Sequence, residues 1–398
     1  MAKRENNFIF GDTLGEGSFG AVVLTTDKDD GRQFATKILD KSQIIRLKKH
    51  ATVKRERDIM SMCQSSYIVK LFYTFQNETS LFYVLELCPN RDLKFYFNKY
   101  GSFSEKVTRF YIAEISYAVK YLHSLHIIHR DLKPENVLLS STMHVKITDF
   151  GTACVQSPEA PPRKSSFVGT PEYVAPEIIN GAVGFNKGVD YWSIGCMLFQ
   201  FLTGEFPFRG KSDKLTFDAI NAASPSYPHN MPPNAMSLCQ KLMQVDMNTR
   251  VGVKNFEELE THPFFCGTKF DDLKNQTPPP FEPGLAVPKV ENFTYPGLLK
   301  EGEHVILYRQ VWKRKGLSRN KRDLIYTDLP RLFYTVAKTP NIKGEIPLSS
   351  KTTVHLVKGS QFVIRVPGRD YQLEDVQGEP QKWIDVFEST SHKWPKEN

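Results

Sequence analysis

The chain has 398 residues, 40% of them apolar and 24% charged, and a net charge of +8. That length exceeds a single hydrophobic core, and that balance excludes an intrinsically disordered chain. With no run of about 18 apolar residues, the sequence holds no candidate membrane-spanning helix. Cys63, Cys88, Cys154, Cys196, Cys239 and Cys266 are widely spread and form no C-x-x-C pair, which argues for reduced thiols and against a disulfide frame or zinc. The N-terminus has no apolar signal core and no glycine at position 2, and the C-terminus has no prenylation cysteine, so a cytoplasmic location is expected. After residue 300, 17 Lys and Arg meet 12 Asp and Glu. The positive surplus is therefore concentrated there and suits a polyanion: a phosphoinositide membrane, a nucleic acid or an acidic protein.

In chain order, residues 8–34 read as two strands around a glycine-rich turn, Leu14-Gly15-Glu16-Gly17-Ser18-Phe19-Gly20-Ala21-Val22. G-x-G-x-x-G also marks dinucleotide folds, but there the last glycine opens a helix. Here Ala21-Val22-Val23-Leu24 follows, which is β-branched. A hairpin is favoured, its backbone N–H groups able to close over triphosphate oxygens. Residues 34–38 form a further strand carrying Lys37. A helix is expected over 52–62, carrying Glu56, and a hairpin over 71–87, turning at 76–80. A second helix is expected over 108–123. It leads to His129-Arg130-Asp131-Leu132-Lys133-Pro134-Glu135-Asn136, and then to Asp149-Phe150-Gly151. A carboxylate two residues before a lysine and five before an amide is a set that phosphoryl transfer to a hydroxyl needs. Asp131 would orient the hydroxyl, Lys133 steady the moving phosphoryl group, and Asn136 and Asp149 hold Mg²⁺.

These strings resemble the eukaryotic protein kinase family. The resemblance implies an α+β, bilobal fold over residues 8–265, with a small lobe to about residue 87 and a large lobe from 88. It implies ATP and Mg²⁺ between the lobes. The nucleotide would meet Leu14, Gly15, Glu16, Gly17, Ser18, Phe19, Gly20, Val22, Ala35 and Lys37 from the small lobe. It would meet Leu85, Glu86, Cys88 and Asp92 at the hinge, and Glu135, Asn136 and Asp149 below. Glu86 and Cys88 would act through their backbones, and Asp92 would reach the ribose. Glu56 would pair with Lys37; its plain alternative is a solvated helix carboxylate. Glu177, in the A-P-E ending of the activation segment, would pair with Arg250. Asp190 would hold the catalytic-loop backbone.

Residues 266–300 read as a proline-rich linker, with Pro278, Pro279, Pro280 and Pro283 limiting regular structure. From 301 to 392, short alternating strands at 305–312, 323–327, 332–335, 344–347, 354–357, 361–366 and 371–374 precede a helix carrying Trp383 and Phe387. This resembles a pleckstrin homology (PH) domain: a seven-stranded β-barrel or sandwich capped by a C-terminal helix. Residues 313–322 read as an inter-strand loop with six cations and no acid. The resemblance implies an inositol phosphate site using Lys313, Arg322, Lys343 and Arg369. Asn320 stands where many inositide binders carry a cation, and a solvated basic hairpin is the alternative.

A kinase followed by a PH domain resembles the phosphoinositide-dependent protein kinases of the AGC group. Most AGC relatives end in a hydrophobic tail motif, F-x-x-F then Ser, Thr or acid and an aromatic; this sequence has none. The resemblance implies a small-lobe pocket for substrate tails at Lys41, Ile44, Ile45, Val53, Arg57, Thr74, Gln76 and Leu81. By residue type alone, Ile44, Ile45 and Leu81 fit core packing equally well. It also implies phosphorylation at Ser166, the phosphate meeting Arg130 and Arg55, with Cys154 where the family carries lysine. The implied partners are AGC kinases as substrates and a phosphoinositide surface, with reversible recruitment to the plasma membrane; no nucleic acid is expected. Two rivals stay open. One is a kinase-like adaptor, against which the complete catalytic set argues. The other is a kinase of another AGC branch whose basic end binds nucleic acid or acidic protein.

Overall fold

Apolar alternation and turn residues dictate the N-terminal sheet. It comprises β1 (Phe8–Gly17), β2 (Gly20–Asp27) and β3 (Gln33–Asp40), later joined by β4 (Leu71–Gln76) and β5 (Ser80–Glu86). A computed structural model describes residues 3–17, 20–156, 171–181, 184–210, 212–228, 231–284, 293, 295–300, 303, 305–315, 318–327, 330–391 and 394. Ser18, Phe19 and Ser166 lie outside the described residues. The chain divides into two units, Met1–Asn98 with Phe103–Leu285, and Ala286–Asn398 with Lys99–Ser102.

In the first unit the strand order is β1-β2-β3-β5-β4, all pairs antiparallel. Between β3 and β4 come α1 (Lys41–Arg46) and α2 (His50–Met62). Asp40 caps α1 by accepting from the N–H groups of Ser42 and Gln43. Helices dominate the large lobe. They are α3 (Leu93–Tyr100), α4 (Glu105–Ser124), α5 (Pro176–Ile179), α6 (Gly188–Thr203), α7 (Asp213–Ala222), α8 (Pro233–Leu242) and α9 (Glu257–Glu260). Ser104 caps α4, which opens three residues before its sequence-predicted start. Every residue of α6 is buried, and the helix stops at Gly204 in the left-handed region, φ +76°. Short strands β6 (Ile127–Ile128), β7 (Val137–Leu139), β8 (Val145–Ile147) and β9 (Cys154–Val155) frame the loop between α4 and the activation segment.

The proline-rich stretch is pinned around Phe281. Phe281 stacks on Tyr96 and Tyr111, centroids 4.1 and 5.0 Å apart. Nearby, Glu282 O accepts from Ser104 N. The helical turn at Phe270–Asn275 buries Phe270 and Leu273. Linker composition therefore conceals aromatic anchors in 266–284.

The second unit holds β10 (Val305–Lys315), β11 (Ser318–Thr327), β12 (Leu332–Val336), β13 (Ile342–Ile346), β14 (Thr353–Lys358), β15 (Gln361–Val366), β16 (Arg369–Asp375) and the closing helix α10 (Gln381–Thr390). Its sheet runs β13-β12-β11-β10-β16-β15-β14. Trp383 is fully buried, stacks on Phe362 and packs at a tilt against Phe387. Phe293, Leu298 and Leu299 pack on Val305, Ile325 and Phe333, so the fold of this unit takes in residues before 301. The basic loop expected at 313–322 is mostly strand. Pairing of β10 with β11 continues to Lys315 opposite Ser318. Stacking across the ladder supports this extension, with the Arg319 guanidinium 4.7 Å from the Trp312 ring centre.

Candidate active site

Pairing across the small-lobe sheet puts several predicted residues on one face. Val22 lies opposite Lys37, Lys37 opposite Tyr83, and Ala35 opposite Leu85. Lys37 Nζ meets Glu56 Oε1 on α2 at 2.6 Å, and Glu56 is only 4% exposed. The solvated-carboxylate alternative for Glu56 is thereby removed. Tyr83 escaped the sequence reading. Its hydroxyl donates to Val53 O, less than one turn before Glu56, at 2.9 Å.

Gly17 pairs with Gly20 at the tip of the first hairpin. A Cβ on Gly20 would lie 1.9 Å from Ile38 O, so strand packing demands that glycine. A Cβ on Gly15 would meet nothing within 4 Å, which leaves the backbone there open to a ligand.

The catalytic stretch is held from below. Asp190, fully buried on α6, accepts from the N–H groups of His129 and Arg130 at 3.0 and 2.9 Å, and from His123 Nε2 at 2.8 Å. Burial pushes its carboxyl up, but the His123 hydrogen bond and the neighbouring imidazole charges outweigh that and hold it below its usual value. His129 donates from Nε2 to Thr148 O at 2.9 Å, and its ring packs edge-on against Phe150. Arg130 and Asp149 both sit at positive φ, +68° and +63°, backbone strain that the surrounding bonds must fix.

Within the loop, Lys133 Nζ lies 2.8 Å from Asp131 Oδ2. Asn136 Nδ2 donates to Asp131 O at 2.7 Å and to Oδ2 at 3.0 Å. The amide oxygen of Asn136 is thus oriented away from those bonds. That oxygen and the Asp149 carboxylate are both hard oxygen donors, the chemistry that a divalent cation completed by water and phosphate oxygens would take. Glu135 lies 3.2 Å from Lys94. Asp92 caps α3, accepting from Phe95 N at 2.7 Å. Burial, then the charge of Glu86, pushes the Cys88 thiol up to about 12, so it stays neutral and unreactive.

Arg130 Nε donates to Thr152 O at 2.6 Å, and Arg55 reaches Gly151 O at 3.4 Å, so both cations address the exit from D-F-G. Cys154 is buried and pairs with Ile128.

Over 96% of its length the chain is 34% identical to 3-phosphoinositide-dependent protein kinase 1 of Homo sapiens, of which it spans 83%. The chain belongs to the 3-phosphoinositide-dependent protein kinase family. Residues 8–265 match the protein kinase domain and residues 294–395 the PH domain. Serine/threonine-protein kinase ksg1 of Schizosaccharomyces pombe is 39% identical over 98% of the chain and 80% of that protein. Probable serine/threonine-protein kinase pdkA of Dictyostelium discoideum is 29% identical over 97% and 90%. This kinase is therefore a serine/threonine protein kinase using ATP and a divalent cation, followed by a PH domain. Among the described residues no helix is long and apolar enough to cross a membrane.

The predicted tail pocket divides by burial. Ile44 and Val53 lie in the core, each 3% exposed, whereas Ile45 is 60% exposed. Thr74 and Gln76 are exposed, and Leu81 and Lys41 half-buried. Lys41 bonds Asn77 O, and Arg57 pairs with Asp58.

In the PH domain, Lys313 and Asn320 are directly opposite, as are Val311 and Arg322. All four share the face that continues into the core. Lys313 Nζ sits 4.6 Å from the Tyr334 ring centre and 5.6 Å from that of Tyr371, and Arg369 lies over Tyr371 at 4.7 Å. Three of the four predicted cations thus stand near one aromatic-lined end of the sheet. Lys343 is exposed on β13.

Proposed function

We propose that this kinase phosphorylates activation-loop serine or threonine residues of other AGC kinases at a phosphoinositide-bearing membrane. ATP·Mg²⁺ lies beneath the hairpin of residues 15–20, within a kinase domain spanning 8–265. Lys37, aligned by Glu56, fixes the phosphates, and Asn136 and Asp149 hold Mg²⁺, which offsets phosphate charge when bound. Asp131 orients the substrate hydroxyl, and Lys133 offsets charge on the moving group. Leu14, Val22, Ala35 and Leu85 enclose adenine, and backbone groups of Glu86 and Cys88 bond it. Phosphorylated Ser166 meets Arg130 and Arg55.

The small lobe docks the substrate's hydrophobic tail. What supports this is the exposure of the Ile45, Arg57, Thr74 and Gln76 side chains on the small lobe, in a sequence with no tail motif of its own. Beyond a linker, a PH domain spanning about residues 301–392 binds phosphoinositide through Lys313, Arg322, Lys343 and Arg369, and recruits the cytoplasmic enzyme reversibly to the plasma membrane. The name of the human relative and the matched PH domain support this part.

The test compares phosphorylation of an AGC activation-loop peptide with and without a fused hydrophobic tail. A large gain from the tail, abolished by Thr74→Ala with Gln76→Ala, is expected. Equal rates on both peptides would reject docking. Vesicle binding across inositides, with RNA as control, tests the PH assignment; preference for RNA would favour another AGC branch.

A further inference from the structure

The side chains of Glu86 and Lys146 form a charged pair near the nucleotide cleft, apart from the backbone role of Glu86. Glu86 ends β5 at the hinge, and Lys146 lies on β8, three residues before Asp149. Lys146 Nζ approaches the two carboxylate oxygens of Glu86 at 2.7 and 2.8 Å. The side chains are only 12% and 27% exposed. Val145 and Ile147, its neighbours on β8, are fully buried, so alternation turns Lys146 away from the large-lobe core.

Both ends of the pair are firmly seated. Glu86 N donates to Lys70 O at 2.9 Å, and Lys70 N returns a 3.2 Å bond to the Glu86 carboxylate. Ile147 N donates to Tyr67 O at 2.8 Å, and Val69 N to Ile147 O at 3.0 Å. The small-lobe sheet, residues 67–70 and β8 therefore meet at one corner, closed by the Glu86–Lys146 ion pair. A nucleotide must span from the hinge backbone to the phosphate end near Asp149. The pair fixes the strands that carry both anchor points.

We propose that Glu86 and Lys146 are positioning residues: a latch across the back of the cleft that holds the hinge and the β8–Asp149 strand at the spacing a nucleotide needs. This rests on the hinge reading of Glu86. Breaking the latch weakens nucleotide binding, because binding must then also order the corner. It leaves the phosphoryl-transfer groups in place, so the rate at saturating ATP is preserved.

ADP titration of the full chain with a divalent cation tests this. Glu86→Gln and Lys146→Gln should each weaken ADP about three- to tenfold, as expected for loss of a partly buried pair. The double variant should be no weaker than either single one. The exchange Glu86→Lys with Lys146→Glu should recover most of the loss. The KM for ATP should rise in parallel, and the Lys146→Gln variant should keep its kcat on a simple peptide. Lys146→Met, which keeps the stem, serves if a glutamine variant folds poorly. Unaltered ADP affinity in folded single variants, or losses that simply add in the double variant, would overturn the latch. Failure of the unaltered protein to bind ADP would reject the hinge assignment and the latch with it.

Discussion

Arg250 grips Glu177 through two parallel hydrogen bonds of 2.6 and 2.8 Å, and the arginine is 1% exposed. The guanidinium also donates to the carbonyls of Gln244, Gly188 and Val245 and stacks over Trp192. Removing one partner strands a buried charge. Arg250→Ala should lower stability by about 3–5 kcal/mol, read from urea unfolding. A loss below about 1 kcal/mol would mean that the pair is as weak as an exposed one.

Asp131 holds Lys133 and Asn136 by direct bonds. Asp131→Asn preserves size while removing the charge proposed to orient the substrate hydroxyl. The turnover rate should fall about 10²- to 10⁴-fold, with the melting temperature little changed. Activity near that of the unaltered enzyme would refute the role.

The Tyr83 hydroxyl ties β5 to α2 at Val53 O. Tyr83→Phe removes that bond alone and should cost about 1 kcal/mol. The loss should be local, so hydrogen exchange should quicken in α2 more than in α4. Uniform quickening would assign Tyr83 a global stabilising role instead.

Much of this site could be read from sequence because its parts lie on short strings. Asp131, Lys133 and Asn136 fall within six residues, and Asp149 follows one short hairpin later. Lys37–Glu56 and Arg250–Glu177 were expected because the family resemblance supplied the partners that spacing alone does not. Glu86–Lys146 was not expected: the two are 60 residues apart and meet only through the corner at 67–70. Composition misled twice. Six cations at 313–322 suggested a loop, although cross-strand stacking on Trp312 sustains the ladder. The prolines of 276–284 suggested only an extended linker, although Phe281 within it packs into an aromatic group.

Arg309 donates to both oxygens of Asp375 at 2.7 and 3.1 Å inside the PH domain. Burial pushes the Asp375 carboxyl up, but bonds from Arg309 and the Glu379 backbone outweigh it and hold it below the ordinary 3.8. The folded value lies below the unfolded one. The stabilisation is therefore complete above the ordinary value and lost as pH falls through the lowered one. Asp375→Asn should destabilise the domain at neutral pH, and the gap to the unaltered protein should narrow on acidification below about pH 4. Acid unfolding followed by Trp383 fluorescence checks this; a gap independent of pH would refute it.

Asn320 faces Lys313 across the β10–β11 ladder, on the face that also carries Arg322. An anion bound at this end of the sheet would meet an amide where a cation could stand. Asn320→Arg should tighten binding to vesicles bearing polyphosphoinositide about tenfold at low salt. The gain should shrink as salt is raised, because exposed charges are screened. The same substitution places like charges directly opposite, so without the lipid it should slightly destabilise the fold. Affinity and stability should thus move in opposite directions, a signature that better packing cannot produce. Unchanged vesicle affinity, with the fold intact, would place the ligand away from Lys313.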